Sequence, residues 1–177
     1  PPSSHSLNPA GVDSPPPGVT MDSGSLEVDR SMAVNATGGS IHITDDAVLS
    51  GTVEDTAVST AADDYSSEIS ALLKGDTTLE VNGGAVTVSG DNSYSGGTVV
   101  NGGALVAGHD NAFGSGDVAV NGATLDLNRF TIANKVRLNG NSTLGHADGA
   151  AHIVLGGGSK VNFRDGYALG SGKTLEV

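Results

Sequence analysis

Four charged residues in the C-terminal third of the chain could form a catalytic site for polysaccharide cleavage. The candidates are Asp126, Lys135, Asp148 and Asp165. Glycoside cleavage needs two carboxyl groups that flank the scissile bond, one of them acting as a proton donor. These residues can meet only if distant segments are stacked in layers, and 3% aromatic content leaves few rings for sugar stacking. A polysaccharide lyase or hydrolase is therefore the alternative function, and we expect a protein that is not an enzyme.

The histidines and the acidic turns give only weak metal-binding patterns. The histidines are His5, His42, His109, His146 and His152. His146 and His152 lie close in sequence across a Gly-containing turn, a spacing that allows a metal pair but supplies no third ligand. Residues 91–96 have the outline of a calcium loop without its bidentate Glu, and the Gly and Asp spacing in 114–117 does not fit a calcium-binding nonapeptide. We expect no metal and no cofactor.

Composition excludes several classes of function. The chain has 8 Lys+Arg against 20 Asp+Glu and a net charge of -12, which argues against binding to nucleic acid or to anionic lipid. It has no Cys, which removes disulfide scaffolds and Cys-based zinc sites. No apolar run approaches the ~18 residues of a membrane helix. Because residue 1 is Pro and no signal peptide is visible, we expect a piece of a longer protein.

A recurring Asn-Gly turn is the strongest structural signal in the sequence. The pairs are Asn82-Gly83, Asn101-Gly102, Asn121-Gly122 and Asn139-Gly140. Their spacing is nearly constant, and each pair follows a short aliphatic run. Asn and Gly both tolerate positive φ, so each pair predicts a tight turn, and a turn every ~20 residues is typical of a solenoid. Together with Gly96, Gly97 and Gly103, these residues are the predicted structural turns of the repeat.

The chain divides into three predicted segments. Residues 1–20 carry all six prolines and predict a linker or disordered tail. Residues 21–75 contain short alternating apolar runs that predict further coils of the solenoid. Within them, 63–74 fits either a short helical excursion or another strand. Residues 76–177 contain the clearest repeat and predict stacked coils to the end of the chain.

Two all-β folds fit these turns. In a parallel β-helix, each coil, or rung, pairs with the one above and below, and about 8 rungs of ~19 residues would fit. In an antiparallel sandwich, Asn-Gly would join hairpin strands. Only the β-helix explains why Val81, Val100, Val120 and Leu138 recur in equivalent places. Because aromatic residues are scarce, we expect a core of small stacked layers without large aromatic anchors.

Residues 92–127 resemble a known family. Residues 92–105 read Asn-Ser-Tyr-Ser-Gly-Gly-Thr-Val-Val-Asn-Gly-Gly-Ala-Leu, residues 112–118 read Ala-Phe-Gly-Ser-Gly-Asp-Val, and residues 121–127 read Asn-Gly-Ala-Thr-Leu-Asp-Leu. This succession resembles the passenger-associated transport repeat of bacterial autotransporters, closely over 76–127 and loosely over 128–177. The resemblance implies a right-handed parallel β-helix that is exported through a C-terminal outer-membrane β-barrel of the same precursor.

The same resemblance carries expectations about function and location. It implies a passenger displayed on the bacterial cell surface or secreted, with a role in adhesion, aggregation or virulence. The expected partners are a host-cell or extracellular-matrix ligand, or a like molecule on a sister cell. It also implies that rung-by-rung folding outside the cell aids secretion. A third hypothesis is that the segment is only a secretion and folding module with no ligand of its own.

Residues 21–25 resemble the nucleophile segment of chymotrypsin-like autotransporter proteases. That segment reads Gly-Asp-Ser-Gly, and here Met21 stands in place of the first Gly. The protease fold also requires its His and Asp upstream, where only about 20 residues precede Ser23. A turn at the start of the β region is therefore the favoured interpretation of Ser23.

Overall fold

The chain folds into two parallel β-sheets that wind around one core. The structure, a computed structural model, describes residues 18–164 and 166–177. Successive strands alternate between the sheets for most of the chain, and every strand pairs in parallel with a strand from a neighbouring coil. This arrangement is a β-solenoid of about 8 turns, and it confirms the predicted parallel β-helix.

The two sheets together contain nineteen strands in the described residues. The first sheet contains β1 (Val19–Met21), β3 (Met32–Ala36), β5 (Ala47–Glu54), β7 (Ser66–Ile69), β8 (Leu72–Lys74), β10 (Ala85–Val88), β12 (Ala104–Ala107), β14 (Thr124–Asp126), β16 (Thr143–Gly145) and β18 (Lys160–Val161). The second sheet contains β2 (Ser25–Val28), β4 (Ser40–Ile43), β6 (Ala57–Thr60), β9 (Thr78–Val81), β11 (Thr98–Val100), β13 (Val118–Asn121), β15 (Ile132–Asn139), β17 (Ala150–Leu155) and β19 (Thr174–Glu176). A 3₁₀ turn, Ala147–Gly149, precedes β17.

Alternation along each strand produces the core. In β9, Leu79 and Val81 are buried while Thr78 and Glu80 are exposed, as period-two side-chain direction requires. In-register pairing then places buried residues of successive rungs above one another. Val81 pairs with Val100, Val100 with Val120, and Val120 with Leu138. The predicted equivalence of these four residues is confirmed.

The length of a rung along the sequence is not constant. At the N-terminal end Val19 pairs with Val34, whereas in the middle of the solenoid Ser66 pairs with Ala85, which is a longer step. The last pairing of the first sheet, to Lys160, is a shorter step again. The expected period of about 19 residues per rung therefore holds in the middle of the solenoid and is wrong at its N-terminal end.

Residues 63–74 form strands, so the helical interpretation of this segment is wrong. In β7, Ser67 and Ile69 are buried and Ser66 is exposed, a period-two pattern that a helix would not give. The backbone N–H groups of Ser70 and Ala71 both donate to the Leu49 carbonyl. This irregularity bends the chain, so that β7 and β8 both pair with the long strand β5.

The N-terminal boundary also differs from the prediction. The predicted Pro-rich linker covers residues 1–20, of which 1–17 lie outside the described residues. Strand β1 nevertheless begins at Val19 and pairs with β3, so the solenoid begins before residue 20. Across the described part of the chain, no helix has the length and apolar character needed to span a membrane.

Candidate functional site

The four Asn-Gly pairs lie at one corner of the solenoid, where the chain leaves the second sheet and enters the first. Each pair comes where a strand of the second sheet ends, before the next strand of the first; Asn121 and Asn139 are the last residues of β13 and β15. The glycines with positive φ at this corner are Gly84, Gly103, Gly122 and Gly140, and Asn141 has the same conformation after the last pair. The Asn residues of the four pairs are not among the residues with positive φ.

The asparagines instead form a ladder along the outside of this corner. The side-chain amide of Asn101 donates to Asn82 Oδ1 at 3.1 Å, Asn121 donates to Asn101 Oδ1 at 2.9 Å, and Asn139 donates to Asn121 Oδ1 at 2.8 Å. The Asn82 amide donates in turn to the Thr60 carbonyl at 3.0 Å. We call Asn82, Asn101, Asn121 and Asn139 the asparagine ladder. All its side-chain donors point toward the preceding rung, an arrangement in which neighbouring hydrogen bonds polarise one another.

The ladder requires glycine beside it because consecutive corners are in close contact. A Cβ on Gly102 would clash with the Asn82 carbonyl oxygen, and one on Gly103 would clash with the Gly84 carbonyl oxygen. Gly140 has nothing within 4 Å of the place that a Cβ would take, so glycine is required there by its φ of 44° alone.

Gly96 and Gly97 lie at a different corner, where the chain enters β11 of the second sheet. A Cβ on Gly96 would lie 2.5 Å from the Thr77 carbonyl oxygen, and Gly97 has a φ of 92°. The predicted turn residues therefore occupy two separate corners of the rung.

Residues 92–127 contain two buried aromatic side chains. Tyr94 and Phe113 are fully buried, which contradicts the expectation of a core without large aromatic anchors. The Tyr94 hydroxyl lies 2.6 Å from Thr98 Oγ1, a polar group that also lies in the core. Burial raises the pKa of the Tyr94 hydroxyl, although its hydrogen bond to Thr98 acts in the opposite direction. Tyr94 is therefore neutral and serves as a packing anchor.

Two buried asparagines hold the loops around these aromatic residues. Asn92 accepts from the Leu73 backbone N–H at 2.9 Å and donates to the Ala112 carbonyl at 2.8 Å, so it bridges three rungs. The Asn134 amide lies within 3.1 Å of the Phe113, Gly114 and Gly116 carbonyls. The sequence analysis missed both roles, because Asn92 lies outside the strands and Asn134 is a polar residue at an inward position of β15.

The residues considered for the alternative, enzymatic function are engaged in separate interactions. Asp126 Oδ1 lies 2.5 Å from His146 Nδ1 and also accepts from the Asn128 backbone N–H at 2.8 Å. Asp148 is bound to Arg164, and Lys135 lies in β15 of the other sheet, in register with His152. Asp165 lies outside the described residues. No pair of free carboxylates with the geometry of a glycosidase is thus formed by Asp126 and Asp148.

Asp148 and Arg164 form a well-defined ion pair. The Asp148 side chain is 6% exposed, and its Oδ2 accepts from Arg164 Nε at 2.9 Å and from Nη2 at 2.7 Å. Burial would raise the pKa of Asp148, but hydrogen bonds from the Arg164 side chain and backbone outweigh it and hold that pKa below its ordinary value. The Arg164 guanidinium also lies 3.9 Å from the centre of the Tyr167 ring. The pair joins two neighbouring loops.

The described histidines each have a different partner. His42 Nδ1 lies 2.8 Å from Ser59 Oγ, and His109 Nδ1 accepts from the Asn111 backbone N–H at 2.9 Å. His152 Nδ1 lies 2.8 Å from Thr174 Oγ1, whereas His146 binds Asp126, so these two do not form a pair. His5 lies outside the described residues. Within 18–164 and 166–177, no three His, Asp or Glu side chains are grouped so that they could hold a metal ion.

The candidate nucleophile Ser23 and the two calcium-like segments lie in turns and loops. Ser23 stands in the turn between β1 and β2, beside Asp22, whose carboxylate accepts from the Thr37 hydroxyl at 3.1 Å. Asp91, the first residue of the calcium-like segment, accepts from the Asn111 amide at 2.8 Å. Gly114 of the nonapeptide-like segment packs its α-carbon against the Tyr94 carbonyl.

Charge is distributed unevenly along the solenoid, which the net value of -12 does not reveal. Residues 129–177 contain six of the eight basic side chains and only three of the twenty acidic ones. The six are Arg129, Lys135, Arg137, Lys160, Arg164 and Lys173. The rungs formed by residues 19–128 are strongly acidic, and the last rungs are weakly basic.

Comparisons of the chain with protein-family models, with curated proteins and with solved structures found no match in any of the three.

Proposed function

We propose that this chain is a non-enzymatic segment of a bacterial autotransporter passenger, on the cell surface or secreted. In this role the solenoid is a stalk and adhesin that contacts a host-cell ligand, the extracellular matrix or a like molecule on a sister cell. Its other partner is the outer-membrane β-barrel of its own precursor. The proposal is supported by the pattern of residues 92–127 combined with a parallel β-solenoid in which that pattern spans consecutive rungs.

The fold suits a molecule that must be exported as an unfolded chain. The described residues make their main contacts between adjacent rungs, so each rung can form on the one before it. The chain has no Cys, so no disulfide closes a loop before transport. Buried Tyr94 and Phe113 and the asparagine ladder are concentrated in the rungs of residues 76–145, which would give that segment the strongest rung-to-rung contacts during folding.

A display experiment tests this role. The chain is placed between a secretion signal and an autotransporter β-barrel in a Gram-negative host, and surface exposure is measured with antibody and external protease. Cell aggregation and adhesion to matrix-coated surfaces are measured on the same cells, with the barrel alone as the control. We expect display of a protease-resistant solenoid together with aggregation or adhesion above the control. Display without either activity would contradict the adhesin role and favour a secretion module.

Deletion of residues 76–127 separates the secretion role from the adhesin role. If the transport-repeat segment assists export, the deletion reduces the amount of displayed protein. If display is unchanged while adhesion is lost, the hypothesis of a module without its own ligand fails. Turnover of a polysaccharide by the intact chain, abolished by Asp126→Asn, would contradict the non-enzymatic role.

A further inference from the structure

A small cleft lies among the loops of the last rungs, outside both corners described above. Its volume is about 220 Å³, and its lining residues are Asn128, Arg129, His146 and Arg164. Asn128 and Arg129 come from the loop between β14 and β15, and His146 comes from the next loop, between β16 and β17. The cleft thus lies among two arginines, a histidine and an asparagine from loops that are widely separated in sequence.

Arg164 is fixed in position before any ligand arrives. Two of its five N–H donors bind the buried Asp148 carboxylate, and its guanidinium plane lies against Tyr167. Three donors remain, and their positions are set because the planar group cannot rotate without breaking these contacts. A guanidinium held in this way recognises planar or tetrahedral oxyanions with little loss of side-chain entropy.

His146 is oriented in a similar manner. Its Nδ1 lies 2.5 Å from Asp126 Oδ1, which leaves Nε2 on the far side of the ring for another partner. Asp126 is held in turn by the backbone N–H of Asn128. Both His146 and Asn128 have positive φ, at 51° and 58°. Asn and His are among the non-glycine residues that adopt this conformation most often, and here it turns both loops tightly.

Most of the chain's basic side chains belong to this end of the solenoid. The cleft lies in the part of the chain where basic side chains outnumber acidic ones, six to three. Asp148 pairs with Arg164 and Asp126 contacts His146, while Arg129 is exposed and adds a guanidinium to the lining. His146 and Arg164 have structural partners in Asp126 and Asp148. These contacts do not explain why Arg129 lines the same cleft.

We propose that this cleft binds a single oxyanion, a carboxylate, sulfate or phosphate group, through Arg129 and Arg164 with His146 and Asn128 as further polar contacts. The anion is either a free ion or the acidic group of a saccharide, since the volume admits little more than one such group with part of its carrier. This site does not depend on the proposed stalk role, and either can fail alone.

Titration followed by nuclear magnetic resonance tests the site on the full chain. Sulfate, phosphate, acetate and glucuronate are added at constant ionic strength, with glucose as the neutral control. We expect the Arg129 and Arg164 Nε–H signals and the His146 ring signals to shift together and to saturate in the millimolar range with the anions, and not with glucose. Tighter binding of glucuronate than of acetate would identify an acidic saccharide as the source, and equal binding would identify the free anion.

Arg129→Gln is the decisive variant, because Arg129 is exposed and its loss leaves both ion pairs in place. We expect it to weaken anion binding about tenfold or more, as loss of a charged contact does. Arg137→Gln removes an exposed arginine from β15, away from the cleft, and should leave binding unchanged. The proposal is overturned if the three signals of the unmodified chain do not saturate, or if Arg129→Gln and Arg137→Gln bind the anions equally.

Discussion

The rungs formed by residues 19–75 and those formed by residues 76–145 build the same two sheets with different corners. In the first group the step from one paired strand to the next lengthens along the chain, and the turns include Gly39 and Asp55, both with positive φ. In the second group the step is nearly constant. That group also carries the asparagine ladder and the two buried aromatic anchors.

This difference shows which part of a rung is fixed and which part is free. Sheet register depends on alternation within short strands, so a rung can gain or lose residues in its loops without disturbing the columns of the core. The asparagine ladder makes a stricter demand, since each amide must lie directly above the preceding one. A constant corner is therefore needed only where side chains of that corner bind one another.

The largest expected effect comes from the core, which both regions share. Val100→Asp places an unpaired charge between Val81 and Val120, and Val100 is fully buried, so we expect a loss of about 4 kcal/mol or more in the free energy of unfolding. Val99→Asp is the matched control, because Val99 faces outward in the same strand and should change stability far less. Urea unfolding followed by circular dichroism measures both, and equal losses would contradict the assigned strand faces.

The next effect tests the aromatic anchors of the second region. Phe113→Ala removes a fully buried ring from the rungs of residues 76–145 and should cost about 3–5 kcal/mol. Phe163→Ala, at a position that is 37% exposed in the last rungs, is the control and should cost much less. A similar shift in the urea midpoint for both variants would mean that Phe113 is not an anchor.

Two corner glycines distinguish contact from backbone conformation. Gly103→Ala and Gly140→Ala both place a side chain at positive φ, a strain of about 1–2 kcal/mol. Only at Gly103 would the new Cβ also clash with a carbonyl of the preceding rung, so its substitution should be the more destabilising by thermal unfolding. If Gly140→Ala proved equally or more destabilising, the close stacking of consecutive corners would be wrong.

The asparagine ladder should contribute more modestly. Asn101→Ala removes a hydrogen bond on each side and should cost about 1 kcal/mol, since this corner is exposed to solvent. Asn35→Ala, on the outward face of β3, is the control from the N-terminal rungs and should be within about 0.5 kcal/mol of the unmodified chain. If Asn101→Ala and Asn35→Ala lowered the free energy of unfolding equally, the asparagine ladder would not stabilise the rungs of residues 76–145.

Acid should remove the stability that the Asp148–Arg164 ion pair gives to the loops of the last rungs. Because the folded-state pKa of Asp148 is below its ordinary value of 3.8, its contribution is present above that value and is lost as the pH falls through the lowered pKa. The gap in urea midpoint between the unmodified chain and Asp148→Asn should therefore be widest near neutral pH and close at low pH. Asp45→Asn, an exposed site in the N-terminal rungs, controls for the change in net charge. A gap that is constant with pH would contradict the ion pair.

Much of the fold could be predicted from the sequence because the repeated features are local. The second sheet contains four equivalent buried residues at nearly equal intervals: Val81, Val100, Val120 and Leu138. Their stacking in successive rungs was therefore predictable. The short first rungs were not, because no Asn-Gly pair marks their corners. The strand at 66–69 also shares its apolar spacing with a helix, and only pairing with β5 decides between them.

The candidate sites were less predictable because they depend on contacts between rungs. The sequence places the four asparagines of the ladder at turns, but the ladder itself requires that the corners stack in register. Asp126 and Asp148 are plausible catalytic carboxylates in the sequence, whereas in the fold His146 and Arg164 lie beside them. Partners contributed by loops of different length cannot be deduced from spacing alone.

In-register stacking of parallel rungs can be tested directly by measuring distances between outward side chains. The chain has no Cys, so spin labels can be placed at chosen pairs without interference. Val99 and Ala119 are paired across adjacent strands of the second sheet, about 4.8 Å apart, whereas Val106 lies on the outward face of the first sheet. We predict strong dipolar coupling for labels at 99 and 119 and weak coupling at 99 and 106. Strong coupling at 99 and 106 with weak coupling at 99 and 119 would indicate a hairpin that turns through residues 101–104 and contradict the solenoid.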